Sequence, residues 1–222
     1  MRFRKPFLLL AAFVSTAGMV RAVRASDLIG AVGAGDLARV RQLATDKTTL
    51  DASDAQGRTA LLIAVDLGHT AIAEALIAAG ANINAQARNQ DTPWLLAGAR
   101  GHTGLIRTMI PRGPDLSIRN RFGGNALIPA CERAHVETIR LLLTTRIPVD
   151  HVNNLGWTCL LEIVILGSGG AGHIEATKLV LAAGANPNLA DKDGVTPLAH
   201  ARRRNQTEVA RLIETAGGRM QK

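Results

Sequence analysis

Apolar residues along the chain fall into short blocks separated by polar, glycine-marked breaks, and the blocks keep a fixed spacing. Thr59-Ala-Leu61, Thr92-Pro-Trp94, Asn125-Ala-Leu127 and Thr158-Cys-Leu160 recur every 33 residues. Thr196-Pro-Leu198 follows after 38, and the five extra residues lie in the stretch Gly167–Gly172. A second marker keeps the same register: Gly68-His69, Gly101-His102, Ala134-His135 and Gly172-His173. A third runs Gly80-Ala-Asn82, Gly113-Pro-Asp115, Arg146-Ile-Pro148, Gly184-Ala-Asn186 and Gly217. Such a period is the mark of a repeat architecture.

Each marker predicts a local structure. Thr before Pro starts a short helix, its hydroxyl accepting an orphan amide while Pro, at the first helical position, has no donor to lose. The glycine of the second marker ends that helix in a left-handed turn, and the histidine begins a second one as a structural cap. Apolar residues of the second helix, such as Ile72, Leu76 and Ile77 or Leu141, Leu142 and Leu143, are the expected inter-repeat core. Gly80, Gly113 and Gly184 terminate it, and a short extended hairpin leads on. No unit can bury its apolar face alone, so the stack is cooperative.

A period of 33 built on T-P-L, G-H and G-A-[ND] resembles the ankyrin repeat over roughly residues 26–218. The resemblance implies an all-α solenoid of helix–turn–helix repeats joined by short hairpin loops. Six units result: an N-terminal cap at 26–52, internal repeats at 53–85, 86–118, 119–152 and 153–190, and a C-terminal cap at 191–218. Residues 219–222 form a tail. Three departures predict imperfect geometry in the third and fourth units: Gln90 in place of the hairpin glycine, Pro111 in the last turn of an outer helix, and Arg146 in place of a helix-ending glycine.

Composition sharpens this picture. Apolar residues make up 47% of the 222, against mainly disordered chains, while 3% aromatics and no Tyr suit small, closely stacked helices rather than a β-sandwich. The net charge of +8 includes Arg2, Arg4, Lys5, Arg21 and Arg24, with no acid before residue 26. The body of the protein is therefore near +3, and a nucleic-acid partner is not indicated. Those first 25 residues run cationic, then apolar from Phe7 to Val14, then Val23-Arg-Ala25, the order of a secretory signal peptide. Export, cleavage near Ala25 and a periplasmic location are expected, with a retained N-terminal anchor as the alternative. Cys131 and Cys159 would meet an oxidising compartment. The register separates them by one repeat and about a turn and a half of helix, beyond the ~7 Å a disulfide spans, so both are expected to be buried and unpaired.

The remaining chemistry excludes more than it suggests. His69, His102, His135 and His173 share one structural position, about 10 Å apart from repeat to repeat, and lack the spacing of a zinc site. The stretch Gly167–Gly172 follows no strand and lacks the Lys-Ser/Thr of a phosphate loop, so it reads as a lengthened turn. No triad, paired carboxylates or cofactor signature emerges. Neither enzyme activity, a cofactor nor a metal is expected.

Ankyrin repeats, the resemblance implies, bind other proteins through hairpin tips and inner-helix ends that line a concave face. On this chain those positions supply the bases Arg58, Arg88, Arg100, Arg121, Arg133, Lys192, Arg203 and Arg204, and the acids Asp66, Asp91, Glu132 and Asp193. Between them come Phe122, Leu155, Trp157, Ile165 and Leu166 from two neighbouring units, of the kind that anchor interfaces. The expected partner is another exported protein with an acidic surface around an apolar patch, bound by a monomer.

Overall fold

The structure is a computed structural model and describes residues 16–221. Among these residues twelve of the thirteen α-helices pack as six successive antiparallel pairs, and no strand forms beyond a single bridge between Ser53 and Thr59. The inner row is α1 (Thr16–Gly33), α4 (Ala60–Asp66), α6 (Pro93–Arg100), α8 (Leu127–Glu132), α10 (Cys159–Ile165) and α12 (Pro197–Arg203). The outer row is α2 (Leu37–Leu43), α5 (Thr70–Ala79), α7 (Thr103–Met109), α9 (Val136–Leu142), α11 (Ala171–Ala182) and α13 (Thr207–Thr215). The short α3 (Lys47–Leu50) completes unit 1. Each inner helix packs on the next inner helix and each outer helix on the next outer one.

The capping chemistry holds in detail. The hydroxyls of Thr59, Thr92, Thr158 and Thr196 accept from the amides of Leu62, Leu95, Leu161 and Ala199, three residues on. In unit 4 Asn125 substitutes, its Oδ1 accepting from Leu127 and Ile128 at 3.0 and 3.2 Å. Ile72, Leu76, Ile77 and Leu142 are buried in the continuous core, whereas Leu141 and Leu143 are only half-buried against it. Each hairpin is closed by one side chain: Asp54, Asn120, Asn153 and Asp191 each accept two amides, from residues two and four positions on. Unit 3 has Ala87 at that place and cannot do this. There Gln90 takes the left-handed conformation (φ 66°), and Asn89 accepts the Asp91 amide instead. Pro111 converts the end of the outer helix into a 3₁₀ turn over Ile110–Arg112. At Arg146, the hydroxyls of Thr144 and Thr145 take the carbonyls of Leu141 and Leu142 in place of a glycine turn. The local irregularity expected in units 3 and 4 is present, and the stack absorbs it.

Three expectations are corrected. The first concerns the cysteines: Cys131 and Cys159 form a disulfide, with Cα atoms 5.5 Å apart. Neighbouring inner helices are staggered, so the last turn of one lies against the first residue of the next. One repeat earlier the same two positions are Gly98 and Ala126, where a Cβ on Gly98 would come within 2.8 Å of the Ala126 Cβ. The period alone conceals this stagger. The second concerns the histidines, whose rings do not cap the helices they begin. His69, His102 and His173 reach back one unit to the carbonyls of Val32, Val65 and Glu132 at 3.0 to 3.1 Å. Gln206 does the same in unit 6, donating to Val164 and Gly167. The third concerns Gly172-His173, which lies inside α11 rather than before it. Half of the insertion is turn and half lengthens that helix, whose N-cap is Gly170.

At the N-terminus α1 runs unbroken from Thr16 past Ala25 and buries Leu28, Ala31 and Val32 in unit 1. Residues 1–15, which hold most of the leader's cationic and apolar parts, lie outside the described residues. No helix among those described is long and apolar enough to cross a membrane. At the other end Arg219 and Gln221 bond back to Asn188 and Thr196, and α13 exposes the polar residues Arg211, Glu214 and Thr215.

Candidate functional site

Residues of the hairpin tips and inner-helix ends line two adjoining hollows, and the character of this face changes along the stack. In units 2 and 3 the bases are held by acids of the same face. Arg58 bonds Asp54 at 2.8 Å, and Arg100 pairs with Asp66. Arg121, from the unit 4 tip, lies 3.7 Å from Asp91 and stacks over the Phe122 ring at 4.6 Å. Burial pushes the Asp91 carboxyl above its ordinary range despite the nearby Arg121 charge and the Asn89 hydrogen bond. Arg133 donates to the Ala99 carbonyl at 2.7 Å, and Lys192 to the Asn154 carbonyl at 2.5 Å. Arg88 and Arg204 are exposed, as is Arg203. The basic surface read from the sequence is thus partly neutralised by its own neighbours.

Units 4 and 5 differ. Phe122, Leu155 and Leu166 stand half-exposed (51%, 51% and 50%) over a hollow of about 360 Å³, in company with Ile128, Pro129, Glu132 and Glu162. Trp157 and Ile165, expected in the same cluster, are half-buried against the core and do not line the hollow. A neighbouring hollow of about 560 Å³ shares Arg121, Phe122, Glu132 and Arg133 with it and extends towards Asp66, Asp91 and Arg100.

The residue that the sequence reading missed is Glu162. It sits in the first turn of α10, within the apolar run Cys159–Leu166, and is only 5% exposed. Asn153 Nδ2 donates to one oxygen at 2.9 Å, while Oε2 is buried without a partner. Burial above all, with the Glu132 charge adding to it, pushes the Glu162 carboxyl up to about 7 against the Asn153 hydrogen bond. The lone acid in an apolar helix was the available signal. At the equivalent positions of unit 6, Asp191 Oδ2 lies 2.7 Å from His200 Nε2. Although burial raises the Asp191 pKa, the Val195 amide and His200, followed by the Asp193 amide, hold it below its ordinary value. Burial first, then the Arg133 charge, push His135 below its usual range. Among the described residues no group of His, Cys, Asp and Glu is placed to hold a metal ion.

A repeated helix pair with a tip-lined concave face, stacked six times, defines an ankyrin-repeat solenoid. The comparisons agree: the family model described as "Ankyrin repeat" matches residues 56–88. An ankyrin repeat domain from Acinetobacter baumannii AYE is 47% identical with a TM-score of 0.83, covering 86% of this chain and 98% of that one. EF0377, an ankyrin repeat protein, is 36% identical with a TM-score of 0.82, covering 86% and 97%. The ankyrin repeat domain of Bcl-3, of the IkappaB protein family, is 26% identical with a TM-score of 0.76, covering 87% and 86%. In sequence, the putative ankyrin repeat protein YahD of Escherichia coli K12 is 46% identical over 77 residues, 35% of this chain, and the match spans only 38% of YahD. The chain belongs to the ankyrin-repeat family, whose members are typically binding modules rather than enzymes.

Proposed function

We infer that the protein is an exported, periplasmic binding module that grips another envelope or secreted protein with its concave face. The observation that carries the binding reading is the apolar trio Phe122, Leu155 and Leu166, half-exposed together over one hollow. Large side chains left exposed together at the centre of such a face are the usual anchors of an interface, and the surrounding charges serve steering. Arg88 and Arg204 supply steering charges for acidic groups at the partner's edges. Bound there, the module inhibits its partner, as an immunity factor would, or protects it under stress. The Cys131–Cys159 disulfide supports export, because such bonds persist in oxidising compartments.

A second reading, an envelope scaffold that keeps its N-terminal segment as an anchor, is favoured by one observation. Helix α1 is continuous across Ala25, so cleavage there would cut within a helix of unit 1. N-terminal sequencing of the protein from its native host separates the two: a start near Ser26 supports export with cleavage, and a retained leader supports the anchor. The binding surface is tested by affinity capture from periplasmic extract with the parent and with Phe122→Ala/Leu155→Ala/Leu166→Ala. The parent should retain a protein that the triple variant loses at unchanged fold. Equal capture by both would place the working surface elsewhere.

A further inference from the structure

The hollow between units 4 and 5 has two ends of different chemistry. Its unit 3 side is rimmed by Arg121 and Arg133, whose guanidinium groups are already engaged, the first by Asp91 and the face of the Phe122 ring, the second by the Ala99 carbonyl of unit 3. Its unit 5 side is lined by Ile128, Asn153, Leu155, Leu166 and Glu162, with no base among them. There the one charged group is an acid, 5% exposed, whose Oε2 accepts nothing. A buried acceptor without a donor is costly and uncommon in a folded protein, and it marks a place where a donor is missing. Glu132 lines the same hollow and adds a second negative charge. Above the acid stand the half-exposed faces of Phe122, Leu155 and Leu166.

An apolar collar over a buried anionic acceptor is complementary to one kind of protein side chain: a flexible aliphatic stem carrying a cation at its tip. Lys and Arg have that form, burying their methylenes against apolar surface while the head seeks a charged partner. We propose that this hollow receives a lysine or arginine side chain of the partner protein, its stem against Phe122, Leu155 and Leu166 and its cationic head donating to Glu162 Oε2. The proposal rests on the binding-module reading and makes it specific: acidic groups at the partner's edges surround a basic residue at its centre. A charge-assisted hydrogen bond shielded from water by an apolar collar is among the stronger contacts an interface can contain.

The test uses the purified protein, disulfide intact, with labelled methyl and aromatic groups followed by NMR during titration. The probes are Nα-acetyl-lysine methylamide and its arginine counterpart, with the norleucine counterpart as a control that keeps the stem and lacks the cation. A basic probe should shift Leu155, Leu166 and Phe122 together and saturate in the millimolar range, at least tenfold tighter than norleucine. Glu162→Gln, which keeps the Asn153 contact, should bring the basic probe down to the norleucine affinity. Equal binding of norleucine and lysine, or a basic probe unaffected by Glu162→Gln, overturns the proposal. So do shifts centred on Leu96, which lines the neighbouring hollow with Asp66 and Asp91. Tighter binding of free 1,5-diaminopentane than of the blocked lysine reassigns the hollow to small amines and also overturns it. If Glu162→Gln does not fold, the norleucine comparison on the unaltered chain decides. The readout needs no partner: a captured partner with no probe binding refutes this pocket and leaves the module reading standing, while probe binding without a captured partner supports the pocket and removes the module reading's evidence.

Discussion

In unit 6 the hairpin residue Asp191 faces His200 of α12, and the acid meets a base 2.7 Å away. In unit 5 the same two positions hold Asn153 and Glu162, and the acid meets an amide that satisfies one oxygen and leaves the other bare. The backbone frame is the same in both: Asp191 and Asn153 each close their hairpin through two amides. The repeat therefore does not require an unpaired carboxylate at this place, and unit 6 shows how the frame complements one. What differs is the surface above. Unit 5 shares a hollow with Phe122, Leu155 and Leu166, whereas the carboxylate of unit 6 is already occupied. The repeat leaves these positions free to vary, and the frame tolerates the unpaired carboxylate at one of them.

The comparison can be broken most severely by giving unit 6 an acid without a counter-charge. His200→Glu would set two carboxylates against each other and should cost about 3 kcal/mol at pH 8, the scale of an uncompensated charge in a mostly buried site. The loss should shrink towards pH 4 as one carboxyl protonates, read by urea unfolding at both pH values. A small cost independent of pH would mean that His200 does not serve as the partner of Asp191.

A second difference between these units is covalent. Unit 5 is tied to unit 4 by a disulfide 28 residues apart in sequence, while unit 6 is held to unit 5 by packing and by hydrogen bonds such as those of Lys192 and Gln206. Replacing both cysteines by alanine should lower stability by about 3 kcal/mol, from the freedom restored to the unfolded chain. Hydrogen exchange should show α10 and α11 losing most protection and becoming as labile as α12 and α13. An unchanged urea midpoint would refute this. Smaller still is the effect expected in unit 3, where Gln90→Gly would give the hairpin the residue its positive φ favours. About 1 kcal/mol of added stability is predicted, visible as a higher thermal midpoint.

Much of the fold was legible in the sequence because each marker is a local device. A threonine capping the amide three residues on, or a glycine ending a helix, is read from its neighbours alone. Asn125 could be placed as a cap by register even though it is not a threonine. The relations between repeats were harder to read. Cys131 and Cys159 appear remote when the period is laid out flat, and only the stagger of the inner helices joins them. His69, His102 and His135 were placed correctly at their helix starts and His173 was not, and the partners of His69, His102 and His173 lie 37 to 41 residues back. Gln206 plays the same part without being a histidine. Of the apolar positions picked out by register, Phe122, Leu155 and Leu166 meet over one hollow. The pairing of Arg100 with Asp66 and of Arg121 with Asp91 was not legible, because it depends on side-chain reach across units, whereas Arg58 meets Asp54 within its own hairpin. Trp157 and Ile165 face the core, a choice that the pattern of apolar positions leaves open.

The central claim is that Glu162 is held buried and half-satisfied at a cost that the fold itself does not need. The folded state raises its pKa from 4.5 to about 7, so between those values the folded protein binds a proton that the unfolded chain has released. Stability should therefore fall as pH rises through this window, with the full penalty present above pH 7 and none below 4.5. The direct measurement is urea unfolding of the parent and Glu162→Gln at pH 4 and pH 8. The two proteins should match at pH 4, where both side chains are neutral. At pH 8 the variant should be the more stable by up to about 3 kcal/mol, the size of such a shift. A variant equally stable at both pH values, or less stable at pH 8, would contradict the account: the carboxylate would then have the partner that unit 5 lacks.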